Sequence, residues 1–116
     1  MKKICVVTGS RAEYGLLTPL IRECHRDESI QLQIAVTGMH LSSEHGLTYR
    51  QIEEDGYRID EKIEVVLSSD SHIATAKSIG LGVIGFADAF SRLTPDMVVV
   101  LGDRYEIFAA VCAAYV

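Results

Sequence analysis

The sequence feature that most constrains the fold is an apolar run at residues 97–101, which ends abruptly in Gly102-Asp103-Arg104. Strands that are covered by helices on both faces of a parallel sheet have such uninterrupted apolar sequences, so the run is predicted to be a central strand. Ligands of open parallel α/β sheets bind beyond the carboxyl ends of the strands, which places Asp103 and Arg104 at a ligand crevice. Position alone leaves open the alternative that Asp103 caps the helix beginning near Tyr105.

Strand and helix patterns alternate along the whole chain, as is typical of a doubly wound parallel sheet. The sequence therefore predicts an α/β, Rossmann-like domain over residues 1–116. Pro19 is expected to kink or shorten the first helix because it has no N–H to donate. The predicted strands are residues 4–7, 32–36 and 97–101, with an irregular or edge strand in 57–65, and the predicted helices are residues 11–26, 48–54, 70–93 (capped by Asp70-Ser71) and 106–116.

Three glycines interrupt the predicted helix 70–93: Gly80, Gly82 and Gly85. Together they cost roughly 2–3 kcal/mol relative to alanine in a helix interior. A compensating close approach of the helix backbone is therefore expected, either to the sheet or to a second protein surface.

Composition limits the classes of partner. The net charge of −5 and the pI near 5.3 give no basic surface for nucleic acid or an anionic membrane. The three cysteines lack CxxC spacing, which favours reduced thiols and a cytoplasmic protein. No segment is expected to be long enough to cross a bilayer. The last helix is apolar and ends without a C-cap glycine, so we expect a truncated chain and a homo-oligomer.

A second candidate site is the loop Gly9-Ser10-Arg11, where the first strand gives way to the first helix. Unpaired N–H groups at a helix N-terminus attract anions, and Arg11 adds a bidentate donor for phosphate. The loop matches neither the G-x-G-x-x-G nor the P-loop pattern. The alternative is structural, with Ser10 as N-cap and Glu13 as its capping-box partner.

His40 follows the second predicted strand on the crevice side. Its ordinary pKa near 6.5 suits an acid–base or substrate-contacting role. A metal site with His45 is not expected, because residues five apart do not share a helix face and no HExxH is present.

Four motifs occur in order along the chain: VTGSRAEYGLL at residues 7–17, TGMHL at 37–41, GLTY at 46–49 and GDR at 102–104. Together they give the chain a specific resemblance to the hydrolysing UDP-N-acetylglucosamine 2-epimerases. That family has two Rossmann-like domains in the glycosyltransferase-B arrangement, with the active site between them. The resemblance implies that this chain is most of the first domain and lacks the second.

The resemblance also implies a reaction, in which UDP is eliminated from UDP-N-acetylglucosamine and water adds to the glycal, giving N-acetylmannosamine for sialic acid biosynthesis. No metal or other cofactor is implied. Asp103 matches the acid–base residue, Arg11 and Arg104 match residues that contact the nucleotide, and His40 lies in the matching crevice loop. Glu106 is a weaker candidate for substrate binding, as are Gly9 and Ser10 of the anion loop.

Three alternatives remain open. Sister enzymes with similar motifs use UDP carrying a 2,4-diacetamido-trideoxyhexose, a glycosyltransferase would share the fold, and a non-catalytic nucleotide-sugar-binding domain would share the anion loop. Under the epimerase interpretation, the 116 residues alone are expected to be inactive.

Overall fold

The computed structural model describes residues 1–41, 48–64, 71–102 and 104–116. Strands and helices alternate through these residues, as the sequence predicts. Their bounds are β1 Lys2–Thr8, α1 Arg11–Arg26, β2 Ile30–Thr37, a 3₁₀ helix Gly38–Leu41, α2 Tyr49–Glu54, β3 Glu61–Ile63, α3 His72–Leu93, β4 Met97–Val99 and α4 Tyr105–Tyr115.

The four strands form one parallel sheet in the order β3-β2-β1-β4. β1 pairs with β2 over its whole length, from Lys2 opposite Ile30 to Thr8 opposite Val36. On its other side, β1 pairs with β4 from Ile4 opposite Met97 to Val6 opposite Val99. The first strand of the chain is therefore hydrogen-bonded on both sides, and all four strands end at one edge of the sheet.

Side chains of the two central strands alternate between two cores, as the period of two in a strand requires. On one face, Cys5 and Val7 pack with α3 and α4. On the other face, Val6 and Ile34 pack with α1 and α2. The sheet thus lies between two helical layers, which confirms the α/β doubly wound fold.

Helix α1 has the predicted bounds, Arg11–Arg26, so Pro19 does not shorten it. Helix α3 begins after Ser71, whose side chain accepts a hydrogen bond from the Ala74 N–H. The predicted cap at Asp70-Ser71 is therefore confirmed at Ser71. Asp70 lies outside the described residues.

The prediction that residues 97–101 form a central strand is wrong for the described sheet. β4 ends at Val99 and lies at the edge, with β1 as its neighbour. Its residues are exposed or half-buried. An apolar run reports how well a segment packs and does not report how many strands pair with it.

The expectation that no segment is long enough to cross a bilayer is also wrong. By length and composition alone α3 could do so, since its 22 residues contain a window with mean hydropathy 1.3. In the folded chain one face of α3 is buried against β3 and α4 through Ala74, Ser78, Gly82, Phe86 and Ala89.

Gly85 explains part of the glycine content of α3. A Cβ at this position would lie 2.7 Å from Cγ2 of Ile63 on β3, so the helix backbone approaches the sheet more closely than a side chain allows. This confirms the expected close approach to the sheet at Gly85. Gly80 faces open space, because a Cβ there would have no neighbouring atom within 4 Å, so the same explanation does not extend to it.

These two glycines give a matched pair of substitutions with opposite expected signs. Gly85→Ala should lower the free energy of unfolding by about 1–3 kcal/mol, because the β-branched Ile63 cannot move aside without shifting β3. Gly80→Ala should raise it by up to about 1 kcal/mol through helix propensity. Urea unfolding of both variants measures the difference, and equal effects would contradict the close-approach explanation.

Candidate active site

The carboxyl ends of β1 and β4 define the candidate site. The chain leaves β1 into α1, which packs on one face of the sheet, and leaves β4 into α4, which packs on the other face. Neighbouring strands whose following helices diverge in this way open a crevice between the two loops, where α/β proteins bind ligands. The loops after β1 and β4 carry Gly9-Ser10-Arg11 and Gly102 to Arg104, as the sequence predicts.

Ser10 is the N-cap of α1, and its hydroxyl accepts the Glu13 N–H at 3.2 Å. The Glu13 carboxylate reaches back to the Gly9 N–H, with 2.8 Å between Oε1 and N. In a capping box this second bond goes to the N-cap residue itself. The Gly9 amide and the Ser10 hydroxyl are thus engaged within the loop, while Arg11 is exposed at the first helical position. Arg11 is therefore the group of this loop that faces solvent with a free charge to offer an anion.

Arg104 and Glu106 form an ion pair at the start of α4, with 2.6 Å between Nε and Oε1. Glu106 is fully buried, whereas the Arg104 side chain is 40% exposed. This bond raises the pKa of Arg104, so the guanidinium is charged at every physiological pH. Asp103, the predicted acid–base residue, lies outside the described residues, and its role stays a prediction.

Glycines at three strand ends make room for two carboxylates. A Cβ on Gly38, which has φ +60°, would lie 2.8 Å from Glu106 Oε1 and 2.8 Å from the Gly9 carbonyl oxygen. A Cβ on Gly9 would lie 3.0 Å from Glu106 Cγ. A Cβ on Gly102, which has φ +100°, would lie 3.4 Å from Glu13 Oε2. The ends of β1, β2 and β4 are therefore packed directly on Glu13 and Glu106.

Burial raises the pKa of Glu13, and the nearby charge of Glu106 adds to the rise. The hydrogen bond from the Gly9 amide and the charge of Arg104 oppose it. Two acidic side chains, both more than nine-tenths buried, are thus stabilised by one guanidinium and one backbone amide.

Sequence reasoning missed this role of Glu13, which it treated only as a capping partner. The pattern Ser10-x-x-Glu13 is explained locally by helix capping, and nothing in it signals a contact with α4. The signal that could have found it is the recurrence of glycine just after three strands, at Gly9, Gly38 and Gly102, since close backbone approach is a common reason for such glycines.

His40 lies in the 3₁₀ helix after β2 and is completely buried. Its Nε2 is 3.0 Å from the Thr8 hydroxyl and its Nδ1 is 3.0 Å from the Thr48 hydroxyl. Both ring nitrogens therefore have a threonine hydroxyl within hydrogen-bonding distance, and the imidazole tautomer sets which partner donates in each pair. His40 thereby links the ends of β1 and β2 to the start of α2.

The expectation that His40 titrates near its ordinary pKa is wrong. Burial lowers the pKa of His40 to about 4, and hydrogen bonds to the Ser10 and Thr48 backbone only partly oppose this. The imidazole is therefore neutral at pH 7 with both nitrogens occupied. An acid–base role for His40 stays a prediction, and it would require the two threonine contacts to open.

Among the described residues, no three His, Cys, Asp or Glu side chains cluster as metal ligands would. A groove of about 630 Å³ lies away from the crevice, between the amino end of β4 and the last turns of α3 and α4. It is mostly apolar and offers Asp96 as its charged side chain, so it has none of the basic groups expected at an anion site.

Comparison with known families shows the family of the chain. The family model described as UDP-N-acetylglucosamine 2-epimerase matches residues 22–116. The chain belongs to this 2-epimerase family. The match includes β2, the 3₁₀ helix, β4 and α4, which carry His40, Arg104 and Glu106.

Several relatives of the chain are hydrolysing 2-epimerases. It is 49% identical over 113 residues to the GDP/UDP-N,N'-diacetylbacillosamine 2-epimerase (hydrolyzing) of Campylobacter jejuni, covering 96% of this chain and 29% of the relative. It is 44% identical to the UDP-N,N'-diacetylbacillosamine 2-epimerase (hydrolyzing) of Legionella pneumophila, covering 98% and 30%. Identity to a UDP-N-acetylglucosamine 2-epimerase of Neisseria meningitidis is 33%, covering 94% and 28%. The chain thus spans about 30% of the length of these relatives.

Solved structures of 2-epimerases share the fold. The UDP-GlcNAc 2-epimerase of Neisseria meningitidis, solved with UDP-GlcNAc bound, aligns with a TM-score of 0.80 at 22% identity, covering 97% of this chain and 29% of that one. The enzyme from Methanocaldococcus jannaschii aligns with a TM-score of 0.75 at 22% identity, covering 97% and 28%. Identity at this level shows the fold alone.

The depressed pKa of His40 gives a testable pH dependence. As the pH falls from about 6.5 to about 4, the unfolded chain takes up a proton on His40 and the folded chain does not, so the folded state loses about 3 kcal/mol. Below about pH 4 the folded state also binds the proton and the loss stops.

His40→Gln removes this titration. The difference in unfolding free energy between wild type and His40→Gln should therefore shrink by about 3 kcal/mol between pH 7 and pH 4, measured by urea unfolding. His72→Gln, at the exposed start of α3, is the matched control for the loss of a histidine outside the core. A difference for His40→Gln that does not change with pH would show that His40 is not held neutral.

Proposed function

We propose that the chain forms part of a hydrolysing 2-epimerase acting on a UDP-activated 2-acetamido sugar. The observation that carries the proposal is the crevice between β1 and β4, where Arg11 and Arg104 face solvent in a member of the 2-epimerase family. Hydrolysing enzymes among the relatives, at 49% and 44% identity, favour hydrolysis over simple epimerisation.

The proposed reaction has two stages. A base removes the proton from C2 of the sugar while the bond between C1 and the diphosphate oxygen breaks, which leaves a glycal and UDP. Water then adds its oxygen at C1, and a proton reaches C2 from the opposite face, so the free sugar has inverted C2. Asp103 is proposed as the acid–base residue. Arg11 and Arg104 are proposed to bind the diphosphate and stabilise the charge that develops on it.

The proposed sugar is N,N'-diacetylbacillosamine, the 2,4-diacetamido-trideoxyhexose of the relatives with 49% and 44% identity. UDP-N-acetylglucosamine, which would give N-acetylmannosamine, is the second candidate because a relative at 33% identity is named for it. A relative at 44% identity is a polysialic acid biosynthesis protein of Escherichia coli. This relative supports sialic acid biosynthesis as the pathway for the second candidate.

The two sugars are distinguished by proton NMR in D2O, with the protein at its natural length and each UDP-sugar in turn. A free sugar with deuterium at C2, together with UDP, is the expected product, and kcat/KM should be higher for the diacetamido substrate. UDP release that requires an acceptor would indicate a glycosyltransferase. UDP binding without any product would indicate a non-catalytic domain.

Asp103→Asn should reduce turnover by about 100-fold or more, since it removes the proposed general base without changing side-chain size. Asp88→Asn, on the exposed side of α3, is the matched control and should leave turnover unchanged. Steady-state UDP release measures both variants. An Asp103→Asn protein with wild-type turnover would refute this assignment.

The 116 residues expressed alone should show no measurable turnover, because the related enzymes are about three times as long. Product formation by the isolated chain in the same NMR assay would contradict this.

We also propose that the protein is a cytoplasmic homo-oligomer. The composition of the chain and exposed apolar side chains such as Ile84 on α3 and Phe108 on α4 support this proposal.

A further inference from the structure

Glu106 occupies an energetically expensive position for a carboxylate. The residue is fully buried, and its Oε1 is paired with Arg104. Its Oε2 is buried and has no hydrogen-bond partner among the described residues. A buried oxygen of a charged group that lacks a donor destabilises a fold, and an apolar or amide side chain of similar size would avoid that cost. Packing alone therefore does not explain an acid at this position.

The surroundings of Glu106 leave its carboxylate little freedom to move. Gly9 and Gly38 press against it so closely that a Cβ on either would lie 3.0 Å or less from one of its atoms. Both glycines directly follow strands of the central sheet, β1 and β2. The carboxylate is thus held by backbone from two strands and is a rigid reference point at the edge of the crevice.

The bond to Glu106 fixes the orientation of the Arg104 guanidinium. Its Nε donates to Glu106, which sets the plane of the guanidinium and leaves the two terminal NH₂ groups for another acceptor. The side chain is 40% exposed, so this end of the guanidinium reaches solvent. Two parallel N–H bonds from one guanidinium match the spacing of two phosphate oxygens, which is why arginine binds phosphates with a defined geometry.

We propose that Glu106 is a positioning residue that holds the terminal guanidinium edge of Arg104 in the crevice for the diphosphate of a nucleotide ligand. Glu106 itself does not touch the ligand, because it has no exposed surface. The inference rests on the proposed function for the identity of the ligand. It differs from direct substrate binding by Glu106, since every effect of Glu106 on the ligand passes through Arg104.

The first test is UDP binding by calorimetry to wild type and Glu106→Gln. Glutamine keeps an acceptor of the same size but loses the charge that orients Nε, so the Kd for UDP should rise about tenfold. The midpoint of urea unfolding should stay the same or rise, because the buried carboxylate oxygen that has no hydrogen-bond partner is gone. A lower midpoint with an unchanged Kd would show a structural role and overturn the proposal.

Glu61→Gln is the matched control. Glu61 accepts a hydrogen bond from Arg92 at the same 2.6 Å, but it lies on β3 and pairs with α3, away from the crevice. Its replacement removes the same kind of ion pair and should leave the Kd for UDP unchanged. An equal rise in Kd for both variants would mean that lost charge, rather than positioning, weakens binding.

A double-mutant cycle tests whether Glu106 acts through Arg104. If it does, Glu106→Gln should have no further effect on the Kd for UDP once Arg104→Gln is present. Additive effects of the two substitutions would overturn the proposal, because Glu106 would then influence the ligand independently.

A measurement on wild type keeps the proposal falsifiable if Glu106→Gln does not fold. The Nε–H proton of Arg104 should resonate far downfield in NMR spectra because of its charged acceptor, and should stay there when UDP binds. Its return to an ordinary position on binding would show that Arg104 leaves Glu106, and absence of any UDP binding would also refute the proposal. UDP binding with the expected Kd changes but no epimerase product would sustain this inference while refuting the proposed function.

Discussion

The ends of β1, β2 and β4 pack directly on two buried carboxylates, and the geometry of the whole crevice depends on this contact. Parallel pairing brings all the strand ends to one edge of the sheet. Glycine at Gly9, Gly38 and Gly102 then lets the backbone close on Glu13 and Glu106 without a side chain between them. The loops that carry the arginines are therefore packed against these carboxylates.

This arrangement explains how a chain with net charge −5 can offer a site to a diphosphate. Arg104 shares its charge with Glu106 and lies near Glu13, so its contribution to long-range attraction is reduced. The remaining contribution of Arg104 to binding is geometric, because a bidentate donor held at a fixed angle selects the position of two phosphate oxygens. Arg11, exposed at the start of α1, supplies a second positive charge.

Local patterns predicted most of the fold because they report local energetics. Helix α1 follows from its apolar spacing and its Ser10 cap, and the two cores follow from alternation in β1 and β2. The edge position of β4 could not be predicted, since pairing is a long-range property. The lowered pKa of His40 was hidden for the same reason: it results from burial among residues distant in sequence, such as Thr8, 32 residues away, which the sequence does not display.

The central position of β1 has a consequence for how the protein is made on the ribosome. Parallel pairing always requires a crossover, so β1 meets β2 only after about two dozen intervening residues and meets β4 only after some ninety. The emerging chain therefore exposes one unpaired edge of β1 until β4 has left the exit tunnel. Non-local pairing of this kind slows folding and exposes apolar surface during synthesis. A pause in translation placed between α3 and β4 would prolong that exposure most.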